Sequence, residues 1–111
     1  MNATSRDFYA DCDREMLLRA MIRSGFTHEE LADESSAQLR KIARSERRKG
    51  RGDRVPTSNS RQLIGQLCSG AAKSTNELRA IAIERALGMD DGSIFVPKVY
   101  RVTRDAARQS A

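Results

Sequence analysis

Tryptophan is absent from this 111-residue chain, histidine occurs once and proline twice, and only Phe8, Tyr9, Phe26, Phe95 and Tyr100 supply aromatic bulk. A core of Leu, Ile, Met, Val and Ala is what remains, which favours helices over a sandwich or barrel. The two cysteines, Cys12 and Cys68, have no Cys-x-x-Cys spacing, and with His28 as the single histidine they assemble no familiar zinc site. Their apolar neighbours suit small buried hydrophobes, and nothing in their number implies an oxidising compartment. No apolar run approaches membrane-spanning length, and Met1–Asp7 lacks a signal-peptide core, so the expected location is cytoplasmic and no membrane partner is expected.

Catalytic motifs are equally scarce. His28 has no nucleophile or acid-base partner nearby in sequence. Gly50 and Gly52 lack the Gly-Lys-Ser/Thr that completes a phosphate-cradling loop. Asp90-Asp91-Gly92 lacks the alternating oxygen ligands of a calcium loop and reads as a turn, with Ser93 beside it. No cofactor, no metal and no enzymatic activity are expected.

What the chain does have is charge, unevenly spread. Charged residues make up 32% of the chain and its formal net charge is +5. Residues 1–38 carry four basic and eight acidic side chains. Residues 39–61 carry nine basic ones (Arg40, Lys41, Arg44, Arg47, Arg48, Lys49, Arg51, Arg54 and Arg61) against Glu46 and Asp53. A basic block of this density is either a solvated surface or the footprint of a polyanion, and its coincidence with a helix-loop element favours nucleic acid.

The length suits one domain, and periodicity predicts a mainly α fold. A first helix is expected over Ser5–Arg23, with Phe8, Cys12, Met16 and Ala20 on its buried stripe and Gly25 after its end. Thr27-His28-Glu29-Glu30 is a capping box that opens a second helix, with Phe26 placed to staple onto Leu31. Ser35-Ser36 is expected to interrupt that helix, and a third is expected over Ala37–Arg48. Residues 49–60, rich in Gly and small polar residues, are expected to be a flexible basic loop. A fourth helix is expected from Ser60, with Leu63, Ile64 and Leu67 inward and Gly70 closing it. A fifth is expected from a capping box at Ser74-Thr75-Asn76-Glu77 to Gly88. Ile94–Val102 is ambiguous, since its β-branched content suggests a strand while Pro97 could open a helix. A lone strand is unstable, so this segment packs as extended chain, pairs with a second copy, or is helical.

Residues 25–47, Gly-Phe-Thr-His-Glu-Glu-Leu-Ala followed by Ala37 and Ile42 at successive five-residue steps, resemble the helix-turn-helix of lambda-repressor-like regulators. That resemblance implies two helices crossing through Ala32, Ala37 and Ile42. It turns Gln38, Arg40, Lys41 and Arg44 outward to the major groove and exposes Leu39. Ser36 stands where the family has Gly, and Ser35 and Ser45 stand at positions it keeps apolar. Across 17–58 the chain also resembles, more weakly, the C subunit of the flagellar master activator and its conjugation relatives. The shared features are Leu39-Arg40-Lys41-Ile42, Lys49-Gly50 and Pro56-Thr57-Ser58, without that family's four-cysteine zinc cluster.

Both resemblances imply a transcriptional regulator, of the kind found on mobile elements. Its expected partner is DNA, with RNA as the alternative. Helix residues Gln38, Arg40, Lys41 and Arg44 would read bases, and Arg47, Arg48, Lys49, Arg51, Arg54 and Arg61 would clamp phosphates. Such modules act as homodimers, sometimes with another regulatory subunit, and the apolar 94–102 segment is the candidate dimer surface. The competing reading is a phage- or plasmid-type inhibitor or adaptor whose basic face docks on an acidic protein or a ribonucleoprotein.

Overall fold

The computed structural model describes residues 9–50 and 55–98. The order is β1 (Tyr9–Cys12), α1 (Arg14–Ser24), α2 (His28–Arg48), α3 (Arg61–Ser69), β2 (Ser74–Asn76), α4 (Glu77–Ala86) and β3 (Phe95–Pro97). The fold is mainly helical, as expected, with a small antiparallel sheet in the order β2-β1-β3. None of its helices is long and apolar enough to cross a membrane among the described residues.

The sheet accounts for two departures from expectation. Tyr9–Cys12 is not the start of a helix but the central strand, pairing Ala10 with Thr75 on one side and with Pro97 on the other. Neighbours on both sides satisfy its backbone groups, and tertiary pairing outweighs the helical spacing of its apolar residues. Helix α1 begins only after Asp13, whose carboxylate accepts from the Met16 N–H at 3.2 Å and caps it. Gly25 ends it in the left-handed region at φ 75°, where a Cβ would be strained. The expected cap Ser5 and stripe residue Phe8 lie outside the described residues.

On the other flank, Ser74–Asn76 is strand rather than helix, and α4 is capped by Asn76, whose Oδ1 accepts from Leu78 N at 2.8 Å and Arg79 N at 3.3 Å. The ambiguity at 94–102 resolves toward extended chain over Phe95–Pro97, with β1 of the same molecule as its partner. Ile94 and Phe95 are buried in the molecule's own core, whereas Val96, between them and Pro97, is 48% exposed. Residues 99–102 lie outside the described residues. Helix α3 follows expectation, with Ser60 capping it, Ile64 and Leu67 buried and Gly70 closing it.

The larger correction concerns α2. Residues 28–48 form one uninterrupted helix, and the break expected at Ser35-Ser36 does not occur. Both serines are buried, Ser35 at 0% exposure, and both hydroxyls donate back to the Ala32 carbonyl, at 3.3 and 2.7 Å. They also hold a second segment. The Asn59 N–H donates to Ser36 Oγ at 2.9 Å, and Asn59 Nδ2 donates to Ser35 Oγ at 3.1 Å. The hydroxyls thus meet backbone and amide partners across a packed contact, so helix propensity never decides the matter.

Two apolar clusters follow from this course. Leu31 and Ala32, in the first half of α2, join Leu17, Ile64, Leu67, Ile83 and Phe95 in the larger. Leu39, Ile42 and Ala43, in its second half, pack with Val55, Leu78 and Ala82 in the smaller. Helix α4 is the principal neighbour of α2.

Candidate nucleic-acid interface

The capping box at the head of α2 forms as expected. Glu30 N donates to Thr27 Oγ1 at 3.1 Å, and Thr27 N donates to Glu30 Oε1 at 2.8 Å. From there the helix turns a single face inward: Leu31, Ala32, Ser35, Ser36, Leu39, Ile42, Ala43 and Glu46 are its buried residues. At 3.6 residues per turn the remaining positions fill roughly half the circumference. That outer arc carries Glu29, Glu30, Asp33 and Glu34 in its first half and Arg40, Lys41, Arg44, Arg47 and Arg48 in its second, all exposed.

The expected site residues therefore divide. Arg40, Lys41, Arg44, Arg47 and Arg48 share one continuous helical face, and none makes an ion pair with a described residue. Lys49 follows them, half-committed to Glu46 through a 3.8 Å ion pair. Gln38 is half-buried at the margin of the arc, and Leu39 is fully buried at 0% exposure. The repressor-like register expects the reverse for Leu39. With no turn before it, residue 38 is not the leading end of a recognition helix, and the base-reading role assigned to Gln38 is withdrawn.

Arg61 leaves the group as well. It opens α3 and borders a shallow cleft with Thr27, His28 and Glu29, at the amino-terminal end of α2. The basic face is at the other end of that 21-residue helix, which is about 30 Å long. Arg51 and Arg54 lie outside the described residues. Within the expected loop, Val55 and Asn59 are buried, Val55 in the cluster with Leu39 and Leu78 and Asn59 on the two serines of α2.

One cation near the basic face escaped the sequence reading. Arg85 of α4 lines a groove with Lys41, Ser45 and Lys49 of α2. Its guanidinium donates to both carboxylate oxygens of Asp91, at 3.2 and 3.0 Å, and that hydrogen bonding raises its pKa further. The carboxylate stands six residues away across a helix end, a spacing that no helical periodicity flags.

Several other polar side chains are committed to structure. The buried Glu84 carboxylate accepts from Gly92 N at 2.9 Å and from Ile94 N and Phe95 N, each at 2.8 Å. Arg79 donates to the Ser58 carbonyl and to Asn59 Oδ1, holding the segment before α3. Cys68 is buried and Cys12 half-buried, both as free thiols. Burial pushes the Cys12 thiol up to about 12, so it is protonated near neutrality and is a poor nucleophile. His28 is exposed.

Comparison with protein-family models, curated proteins and solved structures yields no match.

Proposed function

We propose that the protein is a DNA-binding regulator that grips the duplex backbone through the carboxy-terminal half of α2. One observation carries this reading: Arg40, Lys41, Arg44, Arg47 and Arg48 are exposed on one helical face and none is neutralised by a described carboxylate. Acidic residues three or four positions away would steady such cations, and none of these five has one. An array of uncommitted guanidinium and ammonium groups is matched by a polyanion, whose binding releases condensed counterions. The buried side of the same stretch packs against α4 and Val55, so the array sits on a packed base rather than a mobile loop.

The reading is of a binder rather than a catalyst, supported by a protonated Cys12 and a buried Glu84 carboxylate engaged with backbone amides. Phosphate contacts dominate, so affinity is expected to vary little with sequence. The test is titration of random-sequence duplex DNA at several salt concentrations. Three to five neutralised phosphates give a slope of about −2.7 to −4.5 in log K against log salt, at roughly 0.9 per phosphate. Absent or salt-insensitive binding ends this reading and leaves an acidic protein as the better partner for the same face.

A further inference from the structure

The outer arc of α2 is segregated by charge, and this has a consequence for how the helix meets its partner. Glu29, Glu30, Asp33 and Glu34 occupy one half, and Arg40, Lys41, Arg44, Arg47 and Arg48 the other. No acidic and basic residue on the exposed arc stand three or four apart, so α2 forgoes the side-chain pairs that ordinarily steady a solvent-facing helix. The helix dipole explains only part of the pattern. It favours anions in the first turn and cations in the last, and its influence fades beyond them. Asp33 and Glu34 lie in the second turn, and Arg40 and Lys41 lie well before the last. Glu30 has a structural task in the capping box. Glu29, Asp33 and Glu34 make no ion pair or hydrogen bond through their carboxylates with a described residue.

Resting on the reading above, we propose that α2 is a one-ended binder: duplex phosphates contact only the face from Arg40 to Lys49, and the acidic half holds the rest of the helix off the backbone. A helix laid lengthwise in the major groove would bring Glu29, Asp33 and Glu34 alongside phosphates. Asp33 and Arg40 are separated by about 10 Å along the axis, close to the screening length of roughly 10 Å at 0.1 M salt. The acidic half is therefore near enough to repel the strands flanking the contact at low salt, and is screened out as salt rises. The duplex crosses the helix near its carboxy-terminal end.

The experiment compares wild type with Glu29→Gln/Asp33→Asn/Glu34→Gln on random duplex DNA. A milder Asp33→Asn/Glu34→Gln variant leaves the first turn intact in case the triple change frays α2. Circular dichroism checks that each variant retains its helix content. Both variants are expected to bind about threefold or more tighter than wild type at about 50 mM salt, with the gain fading by about 300 mM. Equal affinity of wild type and folded variants at low salt overturns the proposal while leaving the basic-face reading intact. Failure of wild type and variants alike to bind duplex overturns both. Sedimentation in the absence of DNA supplies a further outcome: a wild-type dimer that the variants lose would mean that the acidic half pairs with the basic half of a second copy, which also overturns the proposal.

Discussion

Glu84 joins the end of α4 to the start of β3 through a single side chain. Its carboxylate, 1% exposed, accepts three backbone N–H groups and so ties the turn after α4 and the start of β3 to the helix. These are charge-assisted bonds, each stronger than an amide–amide pair, and the donors at Ile94 and Phe95 are themselves buried. Replacing the side chain leaves those donors with no side-chain acceptor. Glu84→Ala is expected to cost about 3–5 kcal/mol and to lower the melting temperature by more than about 10 °C. A change of only a few degrees in a thermal melt would mean that the turn finds other partners. In sequence, Glu84 has the look of an ordinary surface residue of α4, since its three donors come from residues eight to eleven positions on. The same limit applies to Ser35 and Ser36. Their turn-forming chemistry is legible, but the segment they hold, centred on Asn59, is more than twenty residues away.

Among the elements, α3 and the head of α2 were readable from local chemistry, whereas distant pairing set the strands and, with them, the starts of α1 and α4. Helix α3 was legible at both ends because Ser60 and Gly70 are local signals, and so was the head of α2 because its capping box closes on itself. Strand β1 was not legible, since its two partners lie more than sixty residues away and its apolar spacing also fits a helix. For α2, amphipathic period is the better guide than motif likeness. Leu39, Ile42 and Ala43 form its buried face around Leu78 and Ala82, whereas the repressor-like register exposes Leu39. Leu39→Ala is accordingly expected to cost about 2–5 kcal/mol of stability, in the range of large-to-small core changes. Gln38→Ala, by contrast, should leave both the melting temperature and the base preference of DNA binding close to wild type. Chemical denaturation of both variants, with binding to several duplex sequences, checks the pair. A Leu39→Ala protein as stable as wild type would return the residue to the surface, and with it the case for a recognition helix.

At the scale of the whole molecule, α2 joins the two apolar clusters and carries the charge contrast along its outer side. Its first half is anchored in the larger cluster, its second half in the smaller, and the cations stand over the latter. The basic block was legible from sequence as a charge count, but the count merged groups that the fold separates. Arg61 belongs to the same run of residues and yet sits beside Thr27 and His28 at the opposite end of α2. This separation permits an internal control. Arg44→Ala/Arg48→Ala removes two exposed cations that pair with no described residue, so each loss should remove about 0.9 from the salt slope, or roughly 1.8 in all. Because neither side chain is buried or pairs with a described residue, stability should stay within about 0.5 kcal/mol per substitution. Arg61→Ala has the same formal charge change per residue but lies outside the proposed contact. It should leave the slope unchanged and lower affinity only slightly, through net charge at long range. Titrating all three proteins against one duplex over a range of salt decides the matter. If Arg61→Ala flattens the slope as much as one of the α2 arginines does, the contact surface reaches both ends of α2, and the confinement of binding to residues 40–49 is wrong.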